Sequence, residues 1–105
     1  VSAREALAMA TIDGARAVHM VERIGSLEVG KEADFILVGI DAPHQTPLYD
    51  VYSHLVYATK ASDVRTVVVA GRVIIEDRKP ATLDADAIRR DAMRYRDQIR
   101  TLLAK

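Results

Sequence analysis

Phe35-Ile36-Leu37-Val38 is apolar at four successive positions, so a strand formed there presents apolar side chains on both faces. Such a strand needs cover on two sides. The demand recurs along Val64–Val69 and Arg72–Glu76, which read as the two arms of a β-hairpin around Ala70-Gly71. A chain of 105 residues has room for one domain, whereas barrel and doubly wound enzymes ordinarily take about 200 residues or more. Large rings are scarce, with one Phe, four Tyr and no Trp. Ala, Val, Ile and Leu must therefore fill any core.

Local signals place helices on either side of the strands. Ser2 and Glu5 form a capping box for a first helix, in which Ala3, Ala6, Leu7 and Ala10 share a narrow face of small residues. Thr11 is expected to cap a second, short helix from Ile12 to about His19. Gly14 lies inside it, either tolerated at a cost of about 1 kcal/mol or required by a close backbone approach. Gly25 and Gly30 suit turns with positive φ. Gly39 to Tyr49 reads as a loop holding Pro43 and Pro47, followed by a short helix from Asp50 to Ala58. Ala70 disfavours positive φ, so a type II turn with only Gly71 left-handed is weighed beside the primed types. Asp84 caps a final helix whose Ile88, Ala92, Tyr95, Ile99 and Leu102 form one apolar stripe. Two heptads are too few to read that stripe as a coiled coil.

Composition narrows the chemistry further. Lys plus Arg and Asp plus Glu both total 15, so bulk charge draws the chain to neither nucleic acid nor a membrane surface. Without cysteine there is no disulfide, thiolate metal site or cysteine nucleophile. No run approaches the roughly 18 apolar residues of a membrane span, and no signal-peptide core opens the sequence. A cytoplasmic location is the expectation.

The three histidines, His19, His44 and His54, fall into none of the close metal-ligand spacings. His19 suits a helix end, and His44 suits a solvated loop. His54, on the short helix near Tyr57, is either hydrogen-bonded in the interior or part of a pocket; His54 and Tyr57 are the weak pocket candidates. Asp50, Ser53 and His54 share one helical turn and cannot adopt nucleophile–base–orienter geometry. Glu76/Asp77 and Asp84/Asp86 read as a strand end and a helix start. The arginines of the last helix are interleaved with aspartates, a solvated face.

The string Ala10-Thr11-Ile12-Asp13-Gly14-Ala15-Arg16-Ala17, followed by Ile24-Gly25-Ser26-Leu27-Glu28-Val29-Gly30-Lys31-Glu32-Ala33-Asp34, resembles the C-terminal part of amidohydrolase-superfamily enzymes. Asp41-Ala42-Pro43-His44, Ser53-His54-Leu55-Val56-Tyr57-Ala58 and Asp63–Arg72 reinforce the resemblance. The branch is that of the aminohydrolases and chlorohydrolases, such as the S-adenosylhomocysteine/methylthioadenosine deaminases and triazine hydrolases. The resemblance runs from about Val1 to Asp77. It implies a parent with a (β/α)8 barrel holding one divalent metal, zinc or iron, whose bound water displaces ammonia or chloride. The family's metal ligands lie before the region matched here. The resemblance thus gives this chain no catalytic, cofactor-binding or metal-binding residue.

The expected fold is α+β: two N-terminal helices, a small, mainly three-stranded sheet and a long C-terminal helix on that sheet. By resemblance, 1–23 is the end of a barrel, 24–83 the C-terminal part of a composite β-sandwich and 84–105 the terminal helix, all in one unit. Core candidates are Leu7, Ala10, Ala17, Leu27, Ile36, Val38, Leu55, Val67, Val69, Ile74, Ile88, Tyr95 and Ile99. The sandwich of the parent is completed by strands this chain lacks, and uncovered apolar edges invite association. The expected partner is therefore a second copy or the missing barrel. The functional expectation is a fragment or truncated relative of a metal-dependent amidohydrolase, inactive alone. The alternatives are a free-standing interaction module that reuses the strands, or a small binder or enzyme built on His54, Tyr57 and the Asp41–Tyr49 loop.

Overall fold

The capping box at Ser2 forms as the sequence predicts: Ser2 Oγ accepts from Glu5 N at 3.1 Å, and Glu5 Oε2 accepts from Ser2 N at 2.9 Å. It opens α1, Ala3–Ala10, in a computed structural model that describes residues 1–104. Thr11 corrects an expectation. Its hydroxyl donates back to Leu7 O at 2.8 Å, closing α1 and leaving α2, Ile12–Ala17, without a side-chain cap. Helix α2 ends in a Schellman motif, with His19 N donating to Arg16 O and Met20 N to Ala15 O. His19 takes the left-handed position at φ 59°, where glycine is usual.

The chain then turns through Gly25 and Gly30 into β1, Phe35–Val38. After a 3₁₀ turn at Pro43–Gln45 comes α3, Val51–Ser53, which continues as a π-helical turn over His54–Ala58. Asp50 caps α3 by accepting from Tyr52 N at 2.8 Å. Arg4 lies over the Tyr52 ring at 5.5 Å and ties α3 to α1. Strands β2, Val64–Val69, and β3, Arg72–Glu76, have the ends read from the sequence. A short β4, Lys79–Pro80, completes an antiparallel sheet ordered β1-β2-β3-β4.

Two turns depart from the expected chemistry. Ala70 and Gly71 both have positive φ, 51° and 75°, so the type II alternative is wrong. Asp77 and Arg78, which lead into the fourth strand, also have positive φ. Neither is glycine, which is why nothing local marks β4. The β1–β2 ladder shifts register between Leu37 and Val38, whose partners are Thr66 and Val64. Arg65 is the extra residue of that bulge. Its guanidinium lies against Gly39, with Nε 2.5 Å from where a Cβ would stand, and it reaches Asp41 at 2.9 Å.

Helix α4, Ala85–Leu103, starts where Asp84 Oδ1 accepts from Ala87 N at 3.0 Å. The expectation that it lies on the sheet fails, because none of its residues is buried. The expected core fails with it. Among the described residues only Ala15 and Val68 are buried apolar side chains, and none of the thirteen core candidates is buried. Ile36 is 52% exposed and Leu27 69%. The physical reason is spread: the radius of gyration is 18.8 Å, against about 13 Å for a compact chain of this length. The strands are paired edge to edge, but their faces stay open.

Candidate functional site

The Gly25–Asp34 segment works as a latch on the hairpin. Gly25 has φ +97°, and a Cβ there would stand 2.7 Å from Ala15 Cβ and 3.1 Å from Ile12 Cα. Only glycine lets the segment pass so close to α2. Gly14 meets the close-approach reading too, since a Cβ on it would lie 3.0 Å from Met9 O. Lys31 Nζ then gathers the turn, donating to Ser26 Oγ at 2.8 Å and pairing with Glu28 at 3.0 Å. Ser26 Oγ donates to Glu28. The Ser26 hydroxyl and then the Lys31 ammonium hold the Glu28 carboxyl below its ordinary range. At the far end, Ala70 N donates to Asp34 Oδ1 at 2.7 Å and Gly71 N to Ala33 O at 3.0 Å.

A second polar cluster joins the loop after β1 to the start of β2. His44 Nε2 meets Asp63 Oδ2 at 2.7 Å, and Lys60 N donates to the same oxygen at 2.8 Å. These bonds, the His44 one foremost, keep the Asp63 carboxyl below the ordinary range. Gln45 is completely buried. Its Nε2 donates to Gly39 O at 2.6 Å and its Oε1 accepts from Thr59 Oγ1 at 3.0 Å. Thr59 N in turn closes the π turn on His54 O. His44 is engaged rather than merely solvated. With Nε2 held by Asp63, the pair is a staple between loops and not a base poised over a nucleophile.

The pocket candidates diverge. His54 Nε2 is buried with no hydrogen-bond partner among the described residues, whereas Tyr57 is 77% exposed. Sequence reasoning does not single out Gln45 or Asp63; the His44–Asp63 bond spans 19 residues, and no spacing rule marks such a contact. Among the described residues no group of three or more His, Asp or Glu converges to hold a metal ion. The single divalent metal implied by the resemblance therefore does not fit this chain's own side chains. No helix of the described residues is long and apolar enough to cross a membrane.

The model of the amidohydrolase family matches residues 1–74. The chain is 47% identical over 88 residues to the 5-methylthioadenosine/S-adenosylhomocysteine deaminase of Thermoanaerobacter pseudethanolicus, covering 84% of this chain and 20% of that protein. It is 42% identical over 99 residues to the 5'-deoxyadenosine deaminase of Methanosarcina barkeri, covering 94% and 22%. Among solved structures it superposes on an adenosine deaminase from Xanthomonas campestris with bound zinc, with TM-score 0.88 and 40% identity over 95% of this chain and 23% of that one. The atrazine chlorohydrolase of Arthrobacter aurescens, complexed with zinc, gives TM-score 0.78 and 29% identity over 88% and 20%. The chain thus spans about a fifth of the length of the curated relatives it matches.

Proposed function

This chain belongs to the amidohydrolase family, and from that premise we propose that it is the C-terminal scaffold of a metal-dependent hydrolase and is inactive alone. One observation carries the reading. The described chain exposes 8433 Å², while a compact monomer of its size exposes roughly 5,800 Å². The surplus, roughly 2,600 Å², is of the order that obligate interfaces bury. Ile36 and Leu37, on a strand apolar along both faces, contribute to it. That open surface supports the reading of a part completed by another.

In this reading the other part is the barrel, which supplies the metal ligands and the reacting centre. Residues 1–23 close the barrel, 24–83 contribute strands to a composite sandwich, and 84–105 form the terminal helix. The chain's own contribution is positional: the latch from Gly25 to Asp34 sets the hairpin, and the staple of His44 and Asp63 sets the loop before it. The activity proposed for the whole is hydrolytic deamination of adenine nucleosides, supported by relatives named as deaminases of methylthioadenosine, S-adenosylhomocysteine and 5'-deoxyadenosine. Dechlorination of a triazine is the second substrate class, supported by the chlorohydrolase neighbour. A neutral net charge and absence of cysteine support a cytoplasmic enzyme without nucleic-acid or membrane partners. The test is complementation: a relative lacking the fifth of its length that this chain matches, inactive by itself, regains deaminase activity when this chain is added.

A further inference from the structure

We propose that His54 is a hydrogen-bonding contact to the rest of the protein, its Nε2 paired only in the assembled enzyme; the inference rests on the scaffold reading above. Among the described residues, His54 Nε2 is the one buried polar side-chain atom, in a residue that is not itself exposed, with no hydrogen-bond partner. Folded chains pair such atoms almost without exception, and an unpaired one weakens the fold that holds it. Nε2 is also closed to water, so no bridging water relieves it. The isolated chain thus carries a polar group whose partner it does not contain.

The backbone around the ring is fixed, while the ring is free to move. His54 N donates to Asp50 O at 2.9 Å, and His54 O accepts from Thr59 N at 3.0 Å. Thr59 Oγ1 lies 3.2 Å from that same oxygen and donates to Gln45 Oε1, which ties the turn to the fully buried Gln45. This closure from one residue to the fifth along is a π turn, a shape that recurs at functional positions. The ring itself is only part-buried. Its torsion about Cβ–Cγ is soft, and rotation about it turns the closed edge outward. Val51, Tyr52 and Tyr57, on the same two turns, are 56%, 40% and 77% exposed. A polar atom flanked by open apolar and aromatic side chains is the anatomy of an interface core. The chain spans about a fifth of its curated relatives, so the other four-fifths of such a protein supply the partner.

His54→Phe keeps a ring of similar shape and removes the polar atom. In the isolated full chain it is expected to leave the melting temperature unchanged or raised, because no bond is lost. The second measurement is complementation of a deaminase relative lacking the fifth of its length that this chain matches. There His54→Phe is expected to raise the concentration of chain giving half-maximal rescue about tenfold. His54→Gln, which returns a polar amide to the site, should recover part of that loss. The same contrast is read in a chimera in which this chain replaces the matched fifth of the relative: His54→Phe should lower the melting temperature of the chimera and not that of the isolated chain. Rescue by His54→Phe at the wild-type concentration overturns the proposal. So does a drop in the melting temperature of the isolated chain, since the ring would then serve the chain's own fold. A wild-type chain that neither rescues nor functions in the chimera overturns the scaffold reading, and this proposal with it.

Discussion

Asp34 Oδ1 accepts a hydrogen bond from Ala70 N at 2.7 Å, joining the end of the glycine-punctuated segment to the hairpin turn 36 residues later. The bond stabilises a turn that needs stabilising, because Ala70 sits at φ 51°, where a Cβ residue is strained by about 1–2 kcal/mol. Asp34→Ala is expected to destabilise the fold by about 1.5–3 kcal/mol, the range for a hydrogen bond to a charged group. Asp34→Asn, which keeps an acceptor, should lose less. Ala70→Gly should gain about 1 kcal/mol by relieving the left-handed residue. Denaturant melts of the three variants read all three outcomes.

Gly25 makes the sharpest steric prediction. Gly25→Ala would have to adopt φ +97° and place its methyl 2.7 Å from Ala15 Cβ. A loss of roughly 3 kcal/mol or more is expected from combined strain and overpacking. Gly30 shares the positive φ, at +92°, but nothing lies within 4 Å of the position its Cβ would take. Gly30→Ala should therefore cost only the backbone strain, about 1 kcal/mol. Parallel thermal melts separate the two effects.

Gln45 should be intolerant of truncation. Removing its amide strands Gly39 O and the Thr59 hydroxyl, the two groups it serves from a fully buried position. Gln45→Ala is expected to cost about 1–3 kcal/mol. Hydrogen exchange should show the loss first at the Thr59 and Gly39 amides.

Acid should loosen the chain by a defined route. Hydrogen bonds from Ser26 and Lys31 lower the Glu28 carboxyl, and those from His44 and Lys60 lower Asp63. For a group lowered in the fold, the stabilisation is fully present above the unfolded value and is lost as pH falls through the folded one. Melting temperature is therefore expected to hold steady near neutrality and to fall once pH drops below the ordinary carboxylate range. Glu28→Gln and Asp63→Asn should each flatten that acid limb.

The legible parts of this fold are those whose cause is local. Ser2 with Glu5, Asp50, Asp84 and the arms around Ala70-Gly71 all carry their instructions within a few residues, and each element begins where it reads. Thr11 defeats the capping rule because its hydroxyl can bond backward to Leu7 as well as forward. Strand β4 has no local signal because Asp77-Arg78 turns without glycine. The core candidates fail for a deeper reason. Apolar patterning marks which side chains need cover, not which molecule provides it, and Ile36, Ile88 and Ile99 find none within the described residues. In the polar cluster, His54 is visible as a residue on a short helix, but burial of Gln45 and the reach of His44 to Asp63 depend on loop geometry that spacing does not encode.

Complementation is the decisive experiment for the scaffold role. A deaminase relative lacking the fifth of its length that this chain matches should release no ammonia from methylthioadenosine until this chain is added, and Asp34→Ala in the added chain should weaken the rescue. Turnover of the nucleoside by this chain alone, with a stoichiometric metal ion bound, would refute that role.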